Sequence, residues 1–223
     1  MRVINQSYLI RGDISNTAIL HNIADAARVC YHTEGGSSDE ALVAKLIKSQ
    51  HEAMLEHSYM TVYFTTDRAV ANELVRHRMA SFAQESTRYC NYSKEKFYHE
   101  VCFIAPIWLE PTSPEFNAWA ASCMEAEREY FEMLKNGATT EEARDVLPLS
   151  TATRIVVTAN MREWRHILAL RAAGVTGKPH PKMKALMRPL LEELATAQPV
   201  LFGDIHAQML DNERTAAKAK EEN

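Results

Sequence analysis

The sequence predicts an α+β fold, with a mixed or antiparallel sheet flanked by helices, from two observations. Segments rich in β-branched and aromatic residues, at 59–65 and 151–157, are typical of strands. Other segments, such as 113–136, carry apolar residues at helical spacing, and the two types do not alternate strictly. We expect a single domain over 1–211, because a chain of 223 residues can bury a sizeable core. The last residues, 212–223, are rich in Lys, Ala and Glu and are expected to form a disordered tail.

Capping residues and prolines predict where the helices and strands begin and end. Residues 1–11 and 98–104 have strand character, and the Gly-Gly pair within Thr33–Ser38 indicates a turn. A helical segment over 181–197, kinked or restarted at Pro189, is expected before a short last helix. The other expected helix starts are Asp13 or Ser15, Ser38, Thr66–Asp67, Ser113, Thr140 and Asn160.

The composition excludes several classes of protein. The formal net charge of -4 argues against bulk binding to nucleic acid or to a membrane surface. No apolar run has the length of a transmembrane helix. The four cysteines are far apart in the sequence and form no Cys-x-x-Cys pair, which favours a reducing cytoplasm over a disulfide framework or a zinc site. We therefore expect a cytoplasmic protein with no nucleic-acid partner, no membrane partner and no metal.

One stretch, from Arg76 to Tyr89, crowds charged and polar side chains together and has no Gly or Pro to mark it as a turn. If its backbone is extended, the guanidinium groups of Arg76 and Arg78 lie ~6 Å apart and repel by roughly 3 kcal/mol at an effective dielectric constant of ~20. A phosphate is the simplest group that would offset this repulsion. A solvated basic edge paired with Glu73 and Glu85 is the structural alternative. The stretch is not a glycine-rich phosphate loop, so neither a Rossmann nor a P-loop site is indicated.

The segment from His51 to His57 invites comparison with zinc metalloproteases, but the spacing excludes that site. Two zinc-binding histidines on one helix face are separated by four residues, whereas these two are separated by six. A structural role is expected for His57, and His51 is the better candidate for a site.

Four separated motifs in register resemble those of the flavin-dependent thymidylate synthases. The central one is Arg76-His77-Arg78, then seven residues, then Ser86. The match covers most of the chain from about Ala26 to Arg188. It extends to Ser81, Phe82, Gln84, Arg88 and Tyr89, to His51-Glu52 and Glu56-His57 upstream, and to Arg144, Leu147-Pro148, Thr153-Arg154, Asn160, Arg162, His166 and Leu170-Arg171 downstream.

This resemblance implies an enzyme that makes thymidylate (dTMP) from deoxyuridylate (dUMP). It implies that methylenetetrahydrofolate supplies the carbon unit and that NADPH supplies reducing power through FAD. A homotetramer is also implied, with each active site shared between subunits. Such sharing would explain why the chain has no dinucleotide-binding fingerprint of its own.

The resemblance also implies roles for individual residues, and Arg171 is the catalytic one, expected to polarise the uracil ring. The dUMP site is implied to consist of Glu73, Arg76, Gln84, Glu85, Ser86, Thr87, Arg88, Arg144 and Arg171. The FAD site is implied to consist of Arg76, His77, Arg78, Gln84, Asn160, Arg162 and His166. His51 and Tyr89 are candidates for the folate side. No cysteine is expected to act as a nucleophile, because no base is visibly spaced to activate one.

Two other functions stay open at this point. The arginines and tyrosines could instead serve a non-catalytic module that binds nucleotides or RNA, although the acidic net charge counts against it. A metal-dependent phosphohydrolase using His51, His57 and His77 is the other alternative.

Overall fold

The structure is a computed structural model that describes residues 1–32 and 36–221. The predicted turn at Thr33–Ser38 therefore lies partly outside the described residues. The strands are β1 (Arg2–Ile4), β2 (Ser7–Arg11), β3 (Tyr59–Asp67), β4 (Ala80–Gln84), β5 (Cys102–Ile104) and β6 (Ala152–Asn160). The helices are α1 (Ala18–Tyr31), α2 (Asp39–Lys48), α3 (Arg68–Leu74), α4 (Pro114–Lys135), α5 (Thr140–Ala143), α6 (Met161–Leu168), α7 (Pro181–Ala197) and α8 (Pro199–Glu221). Short 3-10 turns and one π-helical turn, Ala169–Ala173, complete the described elements.

The strands form two sheets, and the predicted α+β class is confirmed. The larger sheet has four strands in the order β2-β3-β6-β4. In the smaller sheet β1 and β5 pair in parallel, with Arg2 opposite Cys102. No helix among the described residues is long and apolar enough to cross a lipid bilayer.

The chain divides into two compact units, each built from several segments. The first unit comprises Met1–Ser7, Tyr63–Arg76 and Phe82–Val156. The second comprises Tyr8–Val62, His77–Ser81 and Val157–Asn223. The proposed single domain over 1–211 stays a prediction.

The core of the first unit is aromatic and forms where α4 packs against the segments around β5. Tyr130 of α4 is fully buried, and its hydroxyl accepts a hydrogen bond from the backbone N–H of Tyr92 at 3.3 Å. Phe103 and Cys123 lie in the same cluster. The aromatic stripe of α4 is thus core, and Ser113 caps the helix by accepting from the N–H of Phe116 at 3.1 Å.

The second unit buries aliphatic faces of α1, α2, α7 and α8 together with the indole of Trp164. Trp164 anchors α6, because its ring N–H donates to the carbonyl of Met60 in β3 at 2.9 Å. The start of α6 is set by Asn160, whose side chain accepts from the N–H of Glu163 at 2.8 Å. The cap and the anchor fix the first turns of the helix that carries several candidate site residues.

Several expected limits differ from those observed. The first helix begins at Ala18, whose N–H donates to the side chain of Asn16, while Asp13 accepts hydrogen bonds from Ser15 within the preceding turn. Thr139 and not Thr140 caps α5. The segment before β5 turns at Tyr98, so that strand is shorter than expected.

The C-terminal half of the second unit is more helical than the sequence suggested. Pro189 lies inside the unbroken helix α7. The last helix has 23 residues where a short one was expected, and it carries residues 212–221, the segment assigned to the tail.

Candidate functional site

A pair formed by a buried histidine and a partly buried arginine is the centre of the polar cluster in the second unit. His77 precedes β4 and has 5% of its surface exposed. Its Nε2 accepts a hydrogen bond from Nε of Arg171, in the π-helical turn, at 3.1 Å. Glu163 and His166 of α6 complete what we call the His77 cluster. The cluster brings together three of the residues that the sequence assigned to the site.

The protonation of the His77 cluster follows from its burial. Burial lowers the pKa of His77 to about 4, and the charges of Arg171 and His166 act in the same direction. Its imidazole is therefore neutral near pH 7. Burial also raises the pKa of Glu163, against the opposing influence of His166.

His77, Glu163 and His166 could together face a metal ion, since one donor atom from each lies within 4.8 Å of the others. The guanidinium of Arg171 already donates to Nε2 of His77, and a cation beside it would be repelled. The phosphohydrolase alternative required His51, His57 and His77, and among the described residues those three form no such group.

A cavity of about 650 Å³ lies next to this cluster, within the size range of small-molecule sites. Asn160, Arg162 and His166 all line it, as the four-residue spacing between Arg162 and His166 predicts. Arg162 donates to Glu56 at 2.7 Å and lies 3.6 Å from Glu52.

Arg165 lies in the wall of this cavity, and its Nε is 4.0 Å from a carboxylate oxygen of Glu52. Its terminal nitrogens bind Asp204 at 2.8 and 2.7 Å and the carbonyl of Leu201. Its Nε is buried and has no hydrogen-bond partner. The amide of Asn160 and the imidazole of His166 match the carbonyls and ring nitrogens of a flavin. The carboxylates of Glu52, Glu56 and Asp204 oppose a diphosphate in the same cavity.

A second cavity, of about 290 Å³, lies in the first unit and is lined by Arg68, Thr87 and Arg144. Arg144 donates to the hydroxyl of Thr87 at 3.4 Å. One terminal nitrogen of Arg68, Nη1, is buried without a hydrogen-bond partner. Two guanidinium groups, one of them with an unused N–H, and a hydroxyl form a setting that suits a phosphate.

The segment after β4 presents the other polar residues of the first unit. Gln84 donates to Thr153 at 3.3 Å, and the N–H of Glu85 donates to the carbonyl of Arg154 at 2.8 Å. The hydroxyl of Ser86 accepts from the N–H of Arg88 at 3.3 Å, which shapes a turn. The guanidinium of Arg88 pairs with Glu141 at 2.9 Å and lies against the exposed ring of Tyr89. Arg88 is half exposed, so this ion pair can open at little cost.

Four predicted residues lie outside these clusters: Glu73 in α3, Arg76, Arg78 and His51. Arg76 and Arg78 are exposed and lie in turns, so the extended backbone assumed for them is wrong. His51 lines a separate, mainly apolar cavity of about 260 Å³ in the second unit, with Cys30 and Met54.

Comparison with known proteins shows which family the chain belongs to. The family model described as "Thymidylate synthase complementing protein" matches residues 14–200. The chain is 30% identical over 186 residues to the flavin-dependent thymidylate synthase of Pyrococcus abyssi, covering 79% of this chain and 74% of that protein. It is 32% identical over 201 residues to that of Corynebacterium aurimucosum, covering 83% and 79%. The chain belongs to the flavin-dependent thymidylate synthase family.

Membership of the flavin-dependent thymidylate synthase family makes the chain an enzyme that uses a flavin. A solved structure shares its fold with a TM-score of 0.74 at 24% identity, covering 93% of this chain and 97% of the other. That structure is the UMP/dUMP methylase PolB of Streptomyces cacaoi, bound with 5-Br dUMP.

Sequence reasoning missed three residues that the structure places in these sites: Arg68, Glu163 and Arg165. Between Ser49 and Ser93 the sequence has four arginines, Arg68 among them, and no lysine, so this excess of arginine was an available signal. Glu163 occupies the third position of a capped helix, where a glutamate is ordinary, and its role is visible only from its three-dimensional neighbours.

Proposed function

We propose that this enzyme converts dUMP to dTMP, with methylenetetrahydrofolate as carbon donor and NADPH as reductant through FAD. Family membership and the names of the curated relatives support the reaction type. The observation that carries the assignment of residues is the hydrogen bond from Arg171 to a buried, neutral His77. It holds a cation in a fixed orientation, as a site that stabilises developing negative charge requires.

Arg171 is the proposed catalytic residue. C5 of uracil is a weak nucleophile, and it becomes a better one when negative charge on the ring oxygens and N3 is stabilised. A guanidinium held in place before the reaction provides that stabilisation without reorganising, and removing such a donor costs roughly 3 kcal/mol of barrier.

The first unit is proposed to bind the phosphate and sugar of dUMP. The cavity at Arg144 and Thr87 and the nearby turn at Ser86 and Arg88 support this assignment. The full proposed dUMP set stays Glu73, Arg76, Gln84, Glu85, Ser86, Thr87, Arg88, Arg144 and Arg171.

The 650 Å³ cavity is proposed to hold part of the flavin, which when bound supplies the hydride for the reductive step. Asn160, Arg162 and His166 would donate to its polar edge, and His77 would lie beside it. Arg76, Arg78 and Gln84 complete the proposed FAD set. His51 and Tyr89 are proposed for the folate side, and the apolar cavity at His51 suits an aromatic ring.

The assembly is proposed to be a homotetramer in the cytoplasm, with no nucleic-acid or membrane partner. Size-exclusion chromatography with light scattering tests this directly, because four chains of 25.3 kDa separate clearly from one or two.

The function is tested by adding FAD to the purified protein, recording its absorbance, and assaying dTMP from dUMP, methylenetetrahydrofolate and NADPH. A bound-flavin spectrum that changes with dUMP, together with dTMP formation, is the expected result. A colourless protein that gains no flavin absorbance and forms no dTMP rejects the proposal.

Replacing the guanidinium tests its catalytic role. Arg171→Ala should lower kcat by roughly 100-fold or more, because a preorganised charge is lost from the transition state. The circular dichroism spectrum should stay that of the wild type. Turnover at the wild-type rate would remove Arg171 from this role.

A further inference from the structure

Glu163 is a buried carboxylate that the reaction as described does not use. It has 9% of its surface exposed, and its pKa is raised because burial disfavours its charged form. The cap hydrogen bond at this position is made by its backbone N–H to Asn160, so the helix start does not require the carboxylate. Burying a carboxylate lowers the stability of the fold unless the carboxylate has a hydrogen-bond or charged partner.

The Arg171 contact fixes where the proton of His77 must lie. An arginine Nε–H can only donate, so Nε2 of His77 must present its lone pair. The ring is neutral near pH 7, because burial and the charges of Arg171 and His166 lower its pKa to about 4. The single ring proton therefore lies on Nδ1.

Glu163 lies on the Nδ1 side of that ring. Its Oε1 is 3.5 Å from Nδ1, at the outer limit of a hydrogen bond, and both side chains are buried. The imidazole ring of His166 packs edge-on against that of His77, with the ring centroids 5.9 Å apart. A carboxylate that accepts from one imidazole nitrogen sets the tautomer and the orientation of the other.

We propose that Glu163 is a positioning residue for the reaction, which accepts from Nδ1–H of His77 and so keeps Nε2 available to orient Arg171. The chain of contacts runs from Glu163 through His77 to Arg171 and lies entirely in the second unit. The proposal rests on the proposed function only for its kinetic consequence. The tautomer of His77 is a property of the protein alone.

The first test uses the protein without substrate, labelled with 15N-histidine. Long-range proton–nitrogen correlation spectra distinguish the two tautomers, and His77→Gln identifies the His77 signals among the nine histidines. The wild type should show a protonated Nδ1 and an unprotonated Nε2 at pH 7. A proton on Nε2 overturns the proposal without any variant of Glu163 being made.

The second test compares Glu163→Leu with Glu163→Gln in the flavin-loaded enzyme. Leucine removes the acceptor, and kcat should fall by roughly 10- to 100-fold because Arg171 loses its orientation. The amide oxygen of glutamine still accepts, so Glu163→Gln should keep kcat within about threefold of the wild type. Equal rates for Glu163→Leu and the wild type, or equal losses in both variants, contradict the proposal.

Glu142 supplies the matched control, because it holds the same third helix position in α5 and its carboxylate accepts from the N–H of its own cap residue, Thr139. Glu142→Leu should lower the melting temperature and leave the His77 signals unchanged. If the wild type forms no dTMP but its His77 carries the proton on Nδ1, the proposed function fails and this inference stands. If the wild type is active and Glu163→Leu is unaffected, this inference fails alone.

Discussion

At the scale of single residues, the behaviour of His77 is decided by which groups surround it. Burial removes water from the imidazole, and Arg171 adds a positive charge against Nε2, so protonation is disfavoured twice. The result is a histidine that accepts a hydrogen bond at neutral pH and cannot do so once it is charged. Acid should therefore weaken both the pair and the fold.

This gives a pH-dependent contribution to stability from His77, which the raised pKa of Glu163 opposes. A histidine in the unfolded chain titrates near pH 6.5 and the folded one near pH 4. Between these values the unfolded state binds more protons, so stability is lost as the pH falls from 6.5 towards 4. At pH 5 the expected loss is about 2 kcal/mol.

Urea unfolding at pH 7 and pH 5 measures that loss. In His77→Gln the difference between the two pH values should shrink by about the same 2 kcal/mol. The exposed His99 offers a control, His99→Asn, for the removal of one imidazole at the surface. An unchanged difference in His77→Gln would show that the ring is not held neutral by its surroundings.

At the scale of elements, the turn between the π-helical turn and α7 depends on one glycine. Gly174 has φ of +72°, and a Cβ there would lie 3.0 Å from both the carbonyl oxygen of Gly177 and Cδ of Pro179. Both contacts are closer than side chains normally make. The backbone of this turn cannot easily accept any other residue.

A pair of glycine substitutions tests that constraint. Gly174→Ala should destabilise the protein by roughly 1–3 kcal/mol, because it combines strained φ with two close contacts. Gly203→Ala in α8 should instead be neutral or stabilise it by up to about 1 kcal/mol, because nothing lies within 4 Å of its added Cβ. Chemical denaturation of both variants gives the comparison. Equal effects would mean that the turn tolerates a side chain.

The starts of helices were largely predictable, because a cap is a local interaction. Ser38, Asp67, Ser113 and Asn160 each accept from a backbone N–H three residues later, as the sequence indicates. Asp13 failed as a cap because a nearby hydroxyl competes for the same oxygen.

The π-helical turn was not predictable, because its sequence is ordinary for an α-helix. The candidate residues could be named from their motif, but the partner that holds Arg171 could not, since His77 lies 94 positions away in the sequence. Glu163 was missed because its contact with His77 also joins residues that are far apart in the sequence.

At the scale of the whole molecule, binding of the cofactor should be visible in stability. A ligand that binds only the folded state adds about 2.7 kcal/mol at a concentration 100 times its dissociation constant. FAD should therefore raise the melting temperature, measured by calorimetry of protein stripped of flavin. Riboflavin lacks the whole adenosine diphosphate part of FAD, makes fewer contacts and should give a smaller rise at the same concentration. No shift with FAD would contradict a site for this cofactor in the folded protein.

The wide turn at Ala169–Ala173 has a consequence for how this chain can change over time. Deleting one residue there would let ordinary α-helical bonding continue from α6, but it would rotate each later side chain by about 100° around the helix axis. In a library of single-residue deletions selected for dTMP formation, loss of Ala169 or Leu170 should therefore be absent, because either deletion would turn Arg171 away from His77.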